Sequence, residues 1–100
     1  MGEYKLISIT NSSKSNKKLM AKFKNKKTGR ESVTHFGARG MDDYTKTKDK
    51  AQRSRYLERH RRRENWAKPD TAGALSRWIL WNKETRAASI TDYKRRFNLK

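Results

Sequence analysis

An excess of positive charge is the feature that most constrains what this chain can fold into. Lysine and arginine supply 27 of its 100 residues against 10 aspartates and glutamates, which leaves a formal net charge of +17. Only 32% of the residues are apolar, so one small domain can build a core, but only a thin one. A domain with this charge attracts polyanions, which are nucleic acid, an anionic membrane surface or an acidic protein surface.

The two kinds of cation are segregated along the chain. Residues 1–50 hold 11 Lys and 2 Arg, whereas residues 51–100 hold 4 Lys and 10 Arg. Lysine carries a mobile, strongly hydrated point charge, while the flat guanidinium fork of arginine binds phosphate or carboxylate through two hydrogen bonds. Directed phosphate contacts are therefore expected from the second half.

The first half has the pattern of β-strands. Glu3–Thr10 is rich in β-formers, and Leu19, Ala21 and Phe23 alternate with more polar residues, which is the period of a half-buried strand. Glu31–Phe36 follows a set of turn residues and predicts a third strand. Short polar loops separate these segments, so we expect an antiparallel meander that needs helices on one face for stability.

In the second half the apolar period becomes helical. The predicted helices run from an N-cap at Thr47 to about Asn65, from Asp70 or Thr71 to about Trp81, and from a capping box at Ser89–Asp92 onward. The predicted fold class is therefore α+β, with a small antiparallel three-stranded sheet followed by two to three helices that pack on one face. Residues 1–46 form the β-meander with Lys-rich loops, residues 47–100 form the Arg-rich helical part, and together they make one domain.

The basic residues of the first predicted helix are the main candidates for a binding site. Arg55, Arg59 and Arg62 recur at i, i+4 and i+7, so they share one helical face, and Arg63 lies beside them. The arginines on this face repel one another, and binding to phosphates would offset that repulsion. The alternative interpretation is a helix face that is simply solvated. The complete set of nucleic-acid-binding candidates is Arg55, Arg59, Arg62, Arg63, Lys17, Lys18, Lys26, Lys27, Arg95 and Arg96. The loop lysines have a second interpretation, since edge lysines also deter sheet-to-sheet aggregation.

The other residues that might carry chemistry have structural interpretations. Trp78 and Trp81 lie three apart on an apolar helix, which favours core packing over base stacking. His35 and His60 are the only histidines and cysteine is absent, so no metal site is predicted. The adjacent Asp42–Asp43 pair is more typical of a turn cap than of an acid/base dyad. We therefore predict no catalytic residue, no metal and no cofactor.

Several short motifs together resemble a known family. They are His35–Gly40, Asp43–Thr45, Arg59-His60 with Glu64 and Trp66, Pro69, Thr71–Gly73, Ser76–Trp78 and Leu80–Lys83. The pattern resembles small basic proteins encoded by nucleocytoplasmic large DNA viruses of algae and protists, over about positions 33–97. The chain has Thr47 and Glu84 where that pattern has His and Pro. The resemblance implies a viral origin and packaging in a virion, and it implies no particular activity.

Charge and resemblance together predict a non-enzymatic protein that binds nucleic acid through its phosphates. DNA is favoured over RNA, and the sequence leaves the choice among DNA, RNA and an acidic protein partner open. Inside a virion it would neutralise or compact the genome. The alternative is a minor capsid or cement protein whose cations pair with acidic shell proteins. A nuclease is disfavoured, because no spacing among the carboxylates forms a recognised metal site.

Two further expectations concern location. No apolar run approaches the roughly 20 residues that span a bilayer, so no membrane insertion is predicted. The N-terminus lacks the apolar segment of a secretory signal. We therefore expect the protein in the virion, the host nucleus or the cytoplasm rather than outside the cell. The sequence leaves the oligomeric state open.

Overall fold

The computed structural model describes residues 4–99, and the prediction of an α+β fold is confirmed. The strands are β1 (Tyr4–Asn11), β2 (Lys17–Asn25) and β3 (Glu31–Ala38), and they form one antiparallel sheet in the order β1-β2-β3. The helices are α1 (Tyr44–Thr47), α2 (Lys50–His60), α3 (Ala72–Leu75) and α4 (Arg86–Arg96), and a π-helical segment, Ser76–Leu80, continues α3. Glu3, where the first strand was predicted to start, and Lys100 lie outside the described residues.

The inner face of the sheet is built from the predicted alternation. Leu19, Ala21 and Phe23 on β2 are all buried. Leu6 on β1 lies opposite Phe23, and Phe36 on β3 lies opposite Leu19, so apolar side chains from all three strands meet on one face. The alternation of side chains along β2 therefore predicted both that this segment is a strand and which of its faces packs into the core.

The helical part covers this inner face with its own apolar side chains. Leu75, Ile79 and Tyr93 are fully buried and join the same hydrophobic cluster as the sheet residues. The Tyr93 hydroxyl donates a hydrogen bond of 2.6 Å to the carbonyl of Pro69, which ties α4 to the segment before α3. The same burial raises the pKa of Tyr93. Leu99, the last described residue, is buried as well and joins the same cluster.

The boundaries of the first predicted helix are wrong at both ends. Thr47 closes α1 instead of opening α2, because the carboxylate of Asp49 accepts from the backbone N–H groups of Ala51 and Gln52 and caps α2. The negative charge of Asp49 also lies next to the positive N-terminal end of the helix dipole, which stabilises α2. The helix ends at His60 rather than near residue 65.

The predicted start of the third helix is also wrong. Thr85 caps α4, since its Oγ1 accepts from Ala88 N at 3.1 Å. Ser89, predicted to form a capping box with Asp92, lies inside the helix and is buried, and its Oγ accepts from Lys83 N at 3.0 Å. Thr85 and Ser89 are both cap-type residues, so the sequence alone does not distinguish them. The hydrogen bond from Lys83 N to Ser89 Oγ shows that Ser89 lies inside the helix.

The second helix begins as predicted. Thr71, one of the two caps considered, accepts from Ala74 N at 3.2 Å. The helical path then continues through α3 and the π-helical segment, whose last residue is Leu80. Trp81, predicted to belong to the core, is buried directly after it.

Candidate nucleic-acid interface

A buried ion pair supports the turn between β3 and α1. Lys18 Nζ lies 2.5 Å from Asp43 Oδ2, and the two side chains are 13% and 2% exposed. The Lys18 ammonium also donates to the carbonyl of Met41. Asp43 in turn caps α1 by accepting from Lys46 N, which agrees with its predicted role as a turn cap. Lys18 therefore has an internal partner, and it is not among the side chains that face a ligand freely.

The pKa of Asp43 reflects this environment. Burial alone would raise it, but hydrogen bonds from Lys18 and Thr45, with the charges of Lys18 and Arg86, together hold the pKa below its ordinary value. The carboxylate is therefore kept ionised inside the protein. Its charge is matched within the fold and does not repel an anion in the solvent.

A cavity lies between the end of β3 and helix α2, and we call it the main groove. It has a volume of about 640 Å³. Phe36, Leu80 and Trp81 supply apolar lining, while Arg55 and Arg59 of α2 line it with positive charge. Its walls therefore combine an apolar surface with cations, as sites for nucleotides do.

A second groove adjoins the first, and we call it the side groove. Its volume is about 600 Å³, and cations from three segments line it: Arg39, Lys46, Lys48 and Arg86. Both grooves share the residues Lys18, Gly40, Met41 and Asp43. The two grooves therefore adjoin each other at the turn that contains Gly40.

The acids and the cations of these grooves differ in how they are paired. Two lining carboxylates have cationic partners, which are Asp43 with Lys18 and Asp42 with Lys46, and Glu64 accepts hydrogen bonds from the rings of His60 and Trp66. Within residues 4–99, six lining cations have no ion pair: Lys17, Arg39, Lys48, Arg55, Arg59 and Arg86. Glu84 is the one lining carboxylate in this range without a partner. The combined surface therefore carries a strong local excess of positive charge.

Three aromatic rings are stacked in the main groove. The Tyr56 ring lies 4.2 Å from the Trp81 ring at an interplanar angle of 5°, and 4.2 Å from the His60 ring at 22°. This stack was not predicted from the sequence. The i, i+4 spacing of Tyr56 and His60 on α2 was a usable signal for one contact, whereas the contact with Trp81 arises only from the tertiary fold.

His60 is held in place by the turn after α2. The carboxylate of Glu64 accepts from His60 Nδ1 at 3.2 Å and from the Trp66 indole at 2.8 Å. Trp66 also accepts through its carbonyl from the Trp78 indole, at 3.0 Å. The Glu64 carboxyl packs so closely on Gly73 that a Cβ there would lie 2.8 Å from Glu64 Cδ. These contacts link the end of α2 to α3.

The structure separates the sequence-predicted basic residues into groups. Arg55 and Arg59 lie on α2 and line the main groove together with Lys17. Arg62 and Arg63 are exposed but lie beyond the end of α2, so the predicted i, i+4, i+7 face is only partly helical.

The two lysine loops do not lie together. Lys17 pairs with Ala38 at one end of the β2–β3 hairpin, and Lys24 pairs with Glu31 at the other. At 3.3–3.4 Å per residue the two ends are about 23 Å apart. Lys26 and Lys27 follow β2 at the far end, so they lie away from the main groove.

Arg95 and Arg96 also lie elsewhere, in the last turn of α4. Each approaches the Asp92 carboxylate at 3.4 Å. Arg96 additionally stacks on the Trp78 ring, with its guanidinium carbon 4.0 Å from the ring centroid. Both arginines thus have contacts within the fold, and the predicted extension of a phosphate track along them is not formed at the grooves.

Two other arginines act within the structure. Arg53 and Arg77 both donate to the carbonyl of Trp81, at 3.0 and 3.3 Å, and so complete the end of the π-helical segment. Arg77 lies 4.1 Å from the centroid of the Trp78 ring. Burial, with the neighbouring charges of Arg53 and Arg96, lowers the pKa of Arg77 to about 10. Part of the arginine content therefore serves packing.

Gly37 is a point where the fold requires glycine. Its φ is +77°, and a Cβ there would lie 2.7 Å from Leu80 Cδ1. Gly40 has a similar φ of +88° but open space around it. We expect Gly37→Ala to lower the free energy of unfolding by about 3 kcal/mol, from backbone strain plus overpacking, and Gly40→Ala by about 1 kcal/mol, from strain alone. Urea denaturation of both variants measures this, and equal losses would contradict the close packing of Gly37 on Leu80.

Metal-binding clusters and membrane-spanning helices are both absent from the part of the chain that the structure describes. Within residues 4–99, no group of three or more His, Asp or Glu side chains is arranged to hold a metal ion. None of the helices in that range has the length and apolar character needed to cross a membrane.

Comparison with known proteins places the chain in a family. Residues 7–60, just over half of the chain, match the model of a family of unknown function, DUF5754. The matched region runs from β1 to the end of α2, so it contains Lys17, Arg55, Tyr56, Arg59 and His60 but not Trp81. No curated protein and no solved structure matches the chain. By the extent of the family match, this chain belongs to the DUF5754 family.

Proposed function

We propose that this protein is a non-enzymatic nucleic-acid-binding protein that holds phosphate groups along the main and side grooves. The observation that carries the proposal is the pairing pattern of the lining residues. Two of the lining carboxylates are neutralised by lysines within the fold, while six lining cations have no ion pair within residues 4–99. Such a surface has a high affinity for a chain of phosphates.

The type and placement of these cations favour phosphate as the ligand. Arg55 and Arg59 are exposed, and they are one turn apart on α2, which separates them by about 6 Å along the helix axis. Each guanidinium can form paired hydrogen bonds with a phosphate. Lys17, which lines the same groove, contributes a third positive charge. None of these contacts reads a base edge, so we expect little sequence preference.

The cations of the side groove extend the same surface. Arg39 donates to the carbonyl of Lys17 through Nε and Nη2, both at 3.2 Å, which holds its guanidinium beside the shared turn. Lys48 and Arg86 are exposed farther along. A nucleic-acid strand that follows these positions would pass from α2 across the turn to the start of α4. The virion setting, which the family resemblance implies, stays a prediction.

Salt dependence tests the proposal directly. Fluorescence anisotropy with labelled single-stranded and duplex DNA should show log affinity falling linearly with log salt concentration. If all six cations contact phosphate, the slope approaches about −4 for a single strand and about −5 for a duplex, at 0.7 and 0.9 per phosphate. Tight binding with a flat salt response, or no binding at low salt, would overturn the proposal. If the protein does not bind DNA at low salt, the next candidate ligand would be an acidic protein, as in the capsid-protein hypothesis.

A further inference from the structure

The main groove is larger than the binding of a phosphate group requires. Its volume of about 640 Å³ is within the range of pockets that enclose small organic ligands. Phe36, Leu80 and Trp81 in its lining are buried, at 0%, 2% and 8% exposure. The cations of the groove can hold a phosphate, and the remaining volume leaves space for a further part of the ligand.

The ring stack offers a surface for that part. Tyr56 lies between His60 and Trp81, and Trp81 is buried. The stack therefore ends toward the solvent at His60, whose side chain is 32% exposed. Because Glu64 holds the imidazole through Nδ1, the ring is oriented before any ligand arrives. Aromatic rings of this kind, histidine included, stack unpaired nucleobases.

The charged and polar groups around the stack fit a nucleotide. Arg55 and Arg59 of α2 line the same groove as the ring stack. Gln52 and Ser76 also line the groove and carry an amide and a hydroxyl, which can hydrogen-bond to base edges. The cations would hold the backbone while the groove receives the base.

We infer that the main groove receives an unpaired nucleobase stacked on His60, so that the protein binds single-stranded nucleic acid in preference to duplex. This inference rests on the proposed function and names its substrate class. A base in a duplex is already stacked and paired, and bringing it into the groove would first require unstacking it, which is costly. A single strand has no such cost and keeps its phosphates available to the cations of the groove.

The test uses the unmodified protein and three probes of equal length: an oligothymidylate, an oligomer of abasic residues with the same number of phosphates, and a duplex. At one salt concentration we expect the oligothymidylate to bind at least about tenfold more tightly than the abasic oligomer, since stacking one base supplies that much. We expect the two single strands to have the same salt slope, because their phosphates are equal in number. The duplex should bind more weakly than the oligothymidylate.

A matched pair of variants locates the stacking surface. His60→Ala and His60→Phe both lose the hydrogen bond with Glu64, but only His60→Phe keeps an aromatic ring. We expect His60→Ala to lose the about tenfold preference for the oligothymidylate over the abasic oligomer, and His60→Phe to keep it. Circular dichroism and thermal melting confirm that both variants are folded.

The outcomes separate the two proposals. Salt-dependent binding with equal affinity for the thymidylate and abasic oligomers, or tighter binding of the duplex, would overturn the stacking inference and leave the proposed function standing. A base preference that survives in His60→Ala would overturn the assignment of His60. Absence of binding to all three probes would overturn both proposals.

Discussion

The double variant Arg55→Gln/Arg59→Gln is expected to bind nucleic acid about thirtyfold more weakly than the parent protein. Each lost charge-assisted hydrogen bond removes about 1 kcal/mol of binding free energy, and about 2 kcal/mol corresponds to this factor. The salt slope should also become shallower by about 1.4 for single strands and about 1.8 for duplex DNA, because two phosphates are no longer neutralised. Anisotropy titrations over a range of salt concentrations measure both effects.

The control for this experiment removes the same charge from the far end of the sheet. Lys26 and Lys27 lie in the loop after β2, away from the main groove, and both are exposed. We expect Lys26→Gln/Lys27→Gln to reduce affinity less than about threefold, through the long-range field alone. If the two double variants lose affinity equally, binding follows net charge and the grooves are not the site.

The substitution Lys18→Met is expected to lower the free energy of unfolding by about 3 kcal/mol. It removes one partner of a buried ion pair, so the Asp43 carboxylate loses the ammonium 2.5 Å away while it stays buried. Methionine keeps a similar side-chain length, so the loss of charge dominates over the loss of packing. Urea denaturation at about pH 7 measures the difference.

The pH dependence gives this prediction a distinctive signature. In the parent protein the folded-state pKa of Asp43 is lowered, so its stabilisation is present at neutral pH and is lost only as the pH falls through that low value. Without Lys18, burial should raise the pKa of Asp43 above its ordinary value, and protonation then favours the folded state. The deficit of Lys18→Met should therefore be largest near about pH 7 and shrink toward about pH 4.

Lys46→Met is the matched control, since it breaks the exposed pair between Lys46 and Asp42. Lys46 Nζ lies 3.5 Å from Asp42 Oδ1, and the two side chains are 65% and 51% exposed. We expect a loss below about 1 kcal/mol, because exposed ion pairs contribute little. Equal losses in the two variants would show that the Lys18–Asp43 pair is not buried as the structure has it.

The sheet was predictable because its signals are local. Alternation around Ala21 and turn residues before Glu31 are properties of adjacent positions, and a strand needs nothing more to be recognised. Helix starts were harder, since Thr85 and Ser89 carry equivalent cap chemistry. Only the contact from Lys83 N to Ser89 Oγ, formed when the chain folds back before α4, shows which one lies inside the helix.

The candidate site was predictable only in part. Arg55 and Arg59 could be assigned to one helical face from spacing alone. The groove beside them could not be predicted from the sequence, because the packing of three separate segments brings Gly37, Tyr56 and Trp81 together. The aromatic stack likewise needs Trp81, which is distant from α2 in sequence.

The amino-acid sequence by itself determined the charge, the type of cation in each half and the three-stranded meander, because these depend on composition and on neighbouring residues. The tertiary structure alone decided which cations are available to a ligand. Lys17 and Lys18 are adjacent and chemically identical, yet Lys18 is bound to Asp43, 25 positions away, while Lys17 has no ion pair within residues 4–99. An ion pair depends on distance in space, and that distance is established only when the sheet and the helices pack together.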